Sequence, residues 1–334
     1  MTFKYVFLLT DILIYLLFFV AVSFAIYSAR FEHLRAPWRQ VAHNRLAMTA
    51  AFVLSAYLAI ALCDSIHFQQ QAMNENGQTV RDNQGEPIYN PEVISLFDHF
   101  VTDIREKTES TYSAPLATNA YSKENITTPD GKQARDFPEL KHPGKHLFGT
   151  DKVGQDVFYR ALKGIRTGVV IGTLTTLVML PFAIMMGLMA GYFKGWIDDI
   201  IQYLYTTLSS IPGILLIASA VLMLQVYMDT HTGQFESITV RQDTRLFFLC
   251  MILGVSSWTG LCRILRGETL KLREMEYVQA SQALGVGHFK ILRKHIIPNI
   301  MHIVLITVVL DFSGLVLAEA VLAYVGVGVD PSME

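Results

Sequence analysis

The sequence predicts an all-α polytopic membrane protein with six transmembrane spans. Of its 334 residues, 51% are hydrophobic and only 17% are charged, whereas soluble domains carry about 25% charged residues. Six apolar runs, each long enough for a helix to cross a bilayer, alternate with polar segments. The net charge of −2 gives no reason to expect nucleic acid as a partner.

The first apolar run extends from Tyr5 to Tyr27 and is interrupted by Asp11. A cleaved signal peptide is the alternative, but the apolar part from Ile12 onward is at least as long as a signal core and lacks a clear Ala-x-Ala site. We therefore expect residues 1–37 to form a retained helix and a basic loop.

The loop after this helix carries four arginines and one acid: Arg30, Arg35, Arg39, Arg45 and Glu32. By the positive-inside rule it lies in the cytoplasm. Leu46 to Leu62 forms the second span, so the chain emerges on the outer side. The following residues, 64–166, are polar and rich in turn-forming clusters. We interpret them as an extracytoplasmic loop or small module in which Val93 to Ile104 is helical.

The third and fourth spans are charge-free and run from Gly168 to Tyr192 and from Ile200 to Met228. The centre of the fourth predicts an unwound or kinked stretch lining a pathway, and an ordinary proline kink is the alternative. The residues concerned are Ser209, Ser210, Pro212 and Gly213. Leu246 to Cys262 is the fifth span.

The sixth span, from Ile300 to about Val325, contains Asp311 and Glu319. A charged side chain at the centre of a membrane helix costs about 2.5–3.5 kcal/mol on insertion scales. Such residues usually face a bundle interior or a wet cavity. Both acids are therefore candidates for the pathway.

The loop between the fifth and sixth spans predicts two helices that form an elbow. Leu270 to Leu284 is rich in helix formers, and Gly285 or Gly287 supplies the residue that ends this helix. His288 to Ile297 predicts a second short helix, which Pro298 stops. An amphipathic helix pair lying on the lipid surface is the simpler alternative.

This loop contains three groups of residues that carry a family resemblance: Glu276–Ser281, Leu284–Gly285 and His295–Asn299. They resemble the cytoplasmic coupling loop of ABC-importer permeases, and most closely that of the dipeptide/oligopeptide/nickel family. In that family the loop follows a Glu-Ala-Ala plus Gly pattern and docks into a groove of the ATP-hydrolysing subunit. Here Gln279 replaces the Glu and Ser281 the second Ala, and both changes preserve size and helix compatibility. The resemblance implies these ATPase-coupling residues: Glu276, Tyr277, Ala280, Ser281, Leu284, Gly285, Pro298 and Asn299.

A second motif, GTDKVGQDV, precedes the third span and resembles the signature of the same family. Its matching residues are Gly149, Thr150, Asp151, Gly154 and Asp156, with Gln155 where the family has Arg. Taken alone, these residues would indicate only a Gly/Asp turn before a capped helix. The resemblance begins near Trp38 and includes Glu319 to Pro331.

The resemblance implies a type I ABC-importer permease-like helix bundle in the bacterial inner membrane. Residues 38–63 would be its first helix, and residues 167–334 its core, with the coupling loop at 266–299; the family's final helix is absent from this sequence. The implied partners are a homologous permease subunit, two ATP-binding subunits, an extracytoplasmic substrate-binding protein and membrane lipid. Peptides are the implied substrate, with nickel or another small solute as the alternative.

Two other classes of protein compete with this interpretation. A secondary transporter or channel would use Asp311 and Glu319 as ion or proton sites. A membrane-anchored sensor would use residues 64–166 as its ligand domain. The sequence predicts no enzyme, cofactor or metal site, because it has no Gly-x-x-x-x-Gly-Lys-[Ser/Thr] loop and no metal-ligand spacing. ATP hydrolysis is therefore expected on the partner subunits.

Overall fold

A computed structural model describes residues 3–72, 80–81, 87–127, 133–231, 238–326 and 328. The described chain divides into two compact units, one ending at Val169 and the other beginning at Val170. Helices dominate both units, and the strands lie in the first unit. The end of the segment that resembles the family, Val327 and 329–331, lies outside the described residues.

The first unit combines two long helices with short strands and ends within α6. Its elements are β1 (Lys4–Val6), α1 (Leu9–Arg30), α2 (Glu32–His43), α3 (Arg45–Asp64), β2 (His67–Gln71), β3 (Tyr89–Ser95), α4 (Leu96–Phe100), α5 (Thr102–Arg105), β4 (Glu124–Thr127), β5 (Gln133–Asp136) and the start of α6 (Val157–Phe193). Strands β1 and β3 pair antiparallel with β2, and β4 pairs with β5. Because β1 precedes α1 and β2 follows α3, the pairing of β1 with β2 brings the start of α1 close to the end of α3.

A buried ion pair joins the first helix to the start of α6. Nη2 of Arg166 lies 2.6 Å from Oδ1 of Asp11 and donates a hydrogen bond to the hydroxyl of Thr10. Nδ1 of His67 lies 2.9 Å from the other carboxylate oxygen of Asp11. Asp11, which interrupts the apolar run, is thus fully buried and ties α1 to both β2 and α6.

A second polar cluster in the first unit centres on Asp98. Its carboxylate accepts hydrogen bonds from the hydroxyl of Tyr159 at 2.6 Å and from Nζ of Lys163 at 2.8 Å. Asp98 also forms a capping box with Ser95 at the start of α4. Residues 93–104, expected to be helical, therefore form the end of β3 followed by α4 and α5. The change comes from Ser95, whose cap starts the helix after the strand.

The second unit contains the rest of α6 and the elements that follow it. These are α7 (Trp196–Ser210), α8 (Gly213–Thr230), α9 (Ile238–Arg273), α10 (Glu276–Ala283), α11 (His288–Ile291), a π-helical turn (Leu292–Ile296) and α12 (Ile297–Tyr324). In its core, α6 and α9 approach closely at two glycines of α6. A Cβ atom on Gly187 would lie 2.8 Å from Cβ of Leu265, and one on Gly191 would lie 2.6 Å from Cβ of Thr269. Small residues four apart allow such close helix packing in membranes.

The expected fourth span is two helices, and the break between them lies in the stretch that was predicted to be unwound or kinked. Helix α7 ends at Ser210, and α8 begins at Gly213. Ile211 has extended backbone, with φ −87° and ψ 131°, because the ring of Pro212 disfavours the helical conformation in the residue before it. The helix that is long and apolar enough to cross the membrane here is α8.

Two expectations for the elbow were also wrong in their boundaries. The helix expected over 270–284 is interrupted, since α9 ends at Arg273 and α10 begins at Glu276. Pro298 does not stop the second helix: α11 passes through the π-helical turn into α12, and Pro298 lies in the first turn of α12. The π-helical turn shifts the hydrogen-bonding pattern just before the proline, so its missing N–H is tolerated.

Among the described residues, six helices are long and apolar enough to cross a membrane: α1, α3, α6, α8, α9 and the continuous helix His288–Tyr324. This confirms the predicted all-α polytopic membrane fold. Helices α6 and α9 are longer than the apolar runs that predicted them, with 37 and 36 residues. Their polar ends extend the helices beyond the hydrocarbon region, which is about 30 Å thick.

Candidate functional site

The elbow, defined here as residues 276–291, contains a helix, a tight turn and a second helix. Helix α10 ends in a Schellman motif. The N–H of Gly285 donates to the carbonyl of Gln282 at 2.9 Å, and the N–H of Val286 donates to the carbonyl of Ser281 at 3.1 Å. Gly285 has φ +72°, so it supplies the left-handed residue that this motif needs. Gly287, the other candidate, has φ −60° and begins α11.

The inner side of the elbow packs against the second unit. Val278 of α10 and Ile291 of α11 are fully buried in a cluster that includes Leu188 of α6 and Leu265 of α9. The elbow is therefore seated on the ends of two long helices by apolar contacts. A movement of the elbow would act directly on α6 and α9.

Polar contacts from Tyr192, near the end of α6, fix the turn of the elbow. The Tyr192 hydroxyl lies 2.9 Å from Nδ1 of His288 and accepts a hydrogen bond from Nε2 of Gln282 at 3.3 Å. The Arg273 guanidinium lies over the Tyr192 ring, 5.9 Å from its centroid. The sequence analysis placed Gln282 and His288 in the elbow helices but did not predict their contacts with Tyr192, because no local pattern links Tyr192 to the elbow.

The outer side of the elbow exposes large apolar side chains. Leu284 is 83% exposed and Phe289 is 78% exposed, and Tyr277 is also exposed. Ala280 lies on the same open side, so a partner could approach closely there. Of the expected coupling residues, Glu276 and Gly285 are exposed as well, whereas Ser281 is half-buried and donates its hydroxyl to the carbonyl of Tyr277.

The expected coupling residues beyond the elbow contact it at one point. Nδ2 of Asn299 donates to the carbonyl of His295 at 2.6 Å and to the hydroxyl of Tyr277 at 3.4 Å. The rings of Tyr277 and His295 are also in contact. Pro298 is exposed beside Asn299. The structure therefore brings Tyr277 and Asn299 together, although 22 residues separate them.

Ion pairs hold the segments next to the elbow. The Arg266 guanidinium of α9 donates through Nε and Nη2 to the two carboxylate oxygens of Asp198, at the start of α7. The hydrogen bond from Arg266 lowers the pKa of Asp198 below its usual range. Lys194 forms an exposed ion pair with Glu274, between α9 and α10. The ends of α6, α7 and α9 are therefore cross-linked around the elbow.

The GTD signature forms the loop that leads into α6. Gly149 has φ +77° and Gly154 φ +79°, and a Cβ atom on either would lie within about 2 Å of a backbone carbonyl oxygen. The hydroxyl of Thr150 donates to the carbonyl of Thr111. Asp151 accepts backbone hydrogen bonds inside the loop and pairs with Arg160.

Asp156 caps the amino end of α6. Its Oδ1 accepts the N–H groups of Phe158 and Tyr159, and its Oδ2 lies 2.9 Å from Nδ1 of the buried His146. In this structure the signature residues contact each other and the rest of the first unit. A capped turn, the simpler interpretation, describes their local geometry.

The pathway candidates lie on two different helices. Ser209 and Ser210 end α7, and Pro212 and Gly213 begin α8. All four are exposed. Of the four, Ser210 lines an open groove of about 530 Å³, together with other residues of α7 that carry polar groups: Asp199, Gln202, Tyr203, Thr206 and Thr207. Sequence reasoning missed this groove because it treated α7 as part of one charge-free span.

Asp311 and Glu319, the other pathway candidates, lie on α12. Asp311 is partly buried and Glu319 is buried. Beside Asp311, the Phe312 ring fills the space that a side chain on Gly172 of α6 would need. Within the described part of the chain, no group of three or more His, Cys, Asp or Glu side chains is placed to hold a metal ion.

Comparison with known proteins identifies the part of the chain that contains the elbow. Residues 183–332 match the family described as binding-protein-dependent transport system inner membrane component. Over these residues the chain is similar to that family. The match includes α7 to α12 and the whole elbow, and it confirms the resemblance to ABC-importer permeases seen in the coupling loop.

Several curated relatives have similar sequences. The oligopeptide transport system permease protein OppC of Mycobacterium tuberculosis (strain ATCC 25618 / H37Rv) is 29% identical over 193 residues, 58% of this chain and 61% of that protein. The dipeptide transport system permease protein DppC of Bacillus subtilis is 32% identical over 198 residues, 59% of this chain and 56% of that protein. The chain thus spans about three fifths of the length of these relatives.

A longer alignment includes the first unit as well. DppC of Lactococcus lactis subsp. cremoris is 22% identical over 294 residues, 88% of this chain and 74% of that protein. Because 294 residues cannot be fitted into the 165 residues from Val170 onward, this relative also matches part of the first unit.

Proposed function

We propose that this chain is the transmembrane subunit of an ATP-driven ABC importer of peptides. It would form half of the translocation pathway and couple to ATPase subunits through residues 270–299. Its partners would be a homologous permease subunit, two ATP-binding subunits and an extracytoplasmic substrate-binding protein, in a bacterial inner membrane. Relatives named as oligopeptide and dipeptide permeases support peptides as the substrate; nickel or another small solute is the alternative.

The observation that carries this proposal is the two-sided elbow. Its inner side, Val278 and Ile291, is buried against α6 and α9, and its outer side exposes Leu284 and Phe289. Exposed large apolar side chains of this kind mark contact sites when they cluster. A partner that grips the outer side can move the inner side, and with it the helices that cross the membrane. The chain contains no phosphate-binding loop, so ATP hydrolysis is assigned to that partner.

The groove along α7, whose lining residues carry hydroxyl, amide and carboxyl groups, supports a pathway at the membrane helices. Hydroxyl and amide groups on α7 would face solute, because polar side chains in a membrane protein usually face the protein interior or a water-filled cavity. Residues 167–334 would then be the permease core, and residues 38–63 its first helix. Residues 64–166 would be an extracytoplasmic module, and residues 1–37 an added helix and basic loop.

The test measures ATPase attachment and uptake in the same cells. Leu284→Asp and Ala280→Arg should each release the ATPase subunit from the purified permease and abolish uptake of a labelled oligopeptide. Phe100→Asp, at an exposed apolar residue of the first unit, is the matched control and should change neither. If the elbow variants retain the ATPase subunit and transport normally, the elbow is not a coupling element.

A secondary transporter or channel is the second candidate, and Asp311 is the observation that favours it. No hydrogen bond or ion pair joins the Asp311 carboxyl group to another residue that the structure describes. Three results together would favour this candidate over the importer: uptake is lost in Asp311→Asn, uptake is preserved in Leu284→Asp, and uptake by the unmodified chain continues after ATP depletion.

A further inference from the structure

Helix α2, residues Glu32–His43, separates its basic and apolar residues onto different faces. Trp38 and Val41 lie three residues apart on one face, and Arg35 and Arg39 lie four residues apart on another. Trp38 is 54% exposed and Val41 is 42% exposed. A helix with this distribution is typical of one lying in the interface plane of a membrane.

The position of α2 in the chain places it at the membrane surface. It joins α1 to α3, and both are long and apolar enough to cross the membrane. The single residues Phe31 and Asn44, both with extended backbone, separate α2 from its neighbours, so it is free to turn away from their direction. With 12 residues it is about 18 Å long, too short to cross a hydrocarbon layer of about 30 Å.

Residues 30–45 carry an excess of positive charge. Arg30, Arg35, Arg39 and Arg45 are all exposed, and Glu32 is the only acid between them. None of the four forms an ion pair with another residue that the structure describes. Their guanidinium groups are therefore available to a negatively charged partner, and phosphate is a group that arginine binds well.

We infer that α2 lies in the membrane interface and binds acidic phospholipid headgroups. Trp38 and Val41 are buried among the acyl chains, and Arg35 and Arg39 contact the headgroup phosphates. Arg30 and Arg45 add charge where α1 leaves the membrane and α3 enters it. Basic segments next to membrane spans attract acidic lipids in this way.

The experiment uses the full-length chain in lipid nanodiscs, with Trp196→Phe and Trp258→Phe so that Trp38 is the only fluorescent indole. Lipids brominated on the acyl chain report contact by quenching its fluorescence. Brominated phosphatidylcholine should quench Trp38, and the same mole fraction of brominated phosphatidylglycerol should quench it more, by about twofold. High salt should reduce this excess, because it screens exposed charges.

Two double variants distinguish headgroup binding from a general effect of charge. Arg35→Gln with Arg39→Gln should remove the excess quenching by phosphatidylglycerol and leave quenching by phosphatidylcholine unchanged. Arg135→Gln with Lys152→Gln, which changes two basic residues far from α2 in the sequence, should preserve the excess. Equal quenching of the parent by the two lipids would refute binding of acidic headgroups. Absence of quenching by either would show that this face of α2 contacts protein or water instead.

Discussion

The hydroxyl oxygen of Tyr192, near the end of α6, lies 2.9 Å from Nδ1 of His288, at the start of α11. The same hydroxyl accepts a hydrogen bond from Gln282 on the other side of the elbow turn. One side chain of a long helix therefore contacts both arms of the elbow. This arrangement fixes the position of the turn relative to α6.

Tyr192→Phe should make the turn of the elbow more mobile but leave the elbow packed against α6. The variant removes both hydrogen bonds, each worth about 0.5–1.5 kcal/mol, but keeps the ring contacts with Phe193 and His288. Amide hydrogen exchange at Gly287 and Phe289 should become faster, and peptide uptake should fall while the ATPase subunit remains attached. Tyr121→Phe, at an exposed tyrosine of the first unit, should change neither measurement. Unaltered exchange in Tyr192→Phe would mean that apolar packing alone positions the turn.

Gly285→Ala should impair transport, whereas Gly287→Ala should not. A Cβ atom would meet no other atom within 4 Å at either position, so steric contact does not distinguish them. Gly285 has φ +72° and Gly287 has φ −60°, and the left-handed conformation costs a residue with a side chain about 1–2 kcal/mol. Gly285→Val should be worse still, since a β-branched residue tolerates positive φ poorly. The measurements are uptake and co-purification of the ATPase subunit.

Gly285→Asn provides a control for this reasoning. Asparagine adopts the left-handed region more readily than alanine, so this larger side chain should restore part of the lost transport. If Asn impairs transport more than Ala, the elbow requires a small residue at this position and not a particular backbone conformation.

The sequence predicted the spans and the elbow because both depend on local patterns. Apolar runs mark the membrane helices, and a glycine after a helix-forming segment marks a turn. The contact between Tyr192 and His288 joins residues 96 positions apart, and the Asp11–Arg166 pair joins residues 155 positions apart. No local pattern predicts which polar groups of distant segments will meet.

The errors in the predicted boundaries have a similar origin. Pro298 was expected to stop a helix, as proline does in isolation, but the preceding π-helical turn lets the helix continue into α12. The polar ends of α6 and α9 were expected to lie in loops. They are helical because their charged residues form contacts, such as those of Arg166 with Asp11 and Arg266 with Asp198.

Arg166→Met should strongly destabilise the first unit. It leaves the fully buried Asp11 carboxylate without its ionic partner, and breaking a buried pair costs about 3–5 kcal/mol. The combined variant Asp11→Leu with Arg166→Met should recover most of this loss, because it leaves neither charge buried alone. The measurement is the thermal unfolding temperature in detergent. Arg241→Met, which breaks the exposed pair with Asp229, should cost no more than about 1 kcal/mol. Equal effects of Arg166→Met and Arg241→Met would contradict the role of the buried pair.

The stability of the first unit should fall in acid because of Asp98. Burial alone would raise the pKa of this carboxyl, but the charge of Lys163 and hydrogen bonds from Lys163, Tyr159 and Ser95 outweigh it, so the pKa is lowered from 3.8. An acid whose pKa is lower in the folded state binds protons more weakly there than in the unfolded chain. The contribution of Asp98 to stability is therefore complete at pH values above 3.8 and is lost as the pH falls through the folded-state pKa.

Asp98→Asn should lower the unfolding temperature near pH 6 and reduce the fall of the unfolding temperature in acid. Asp103→Asn, at an exposed carboxyl that Lys107 also holds at a lowered pKa, should leave the decline nearly unchanged, since exposed pairs contribute little. A decline of the same steepness in Asp98→Asn and in the unmodified chain would assign the acid sensitivity to other groups.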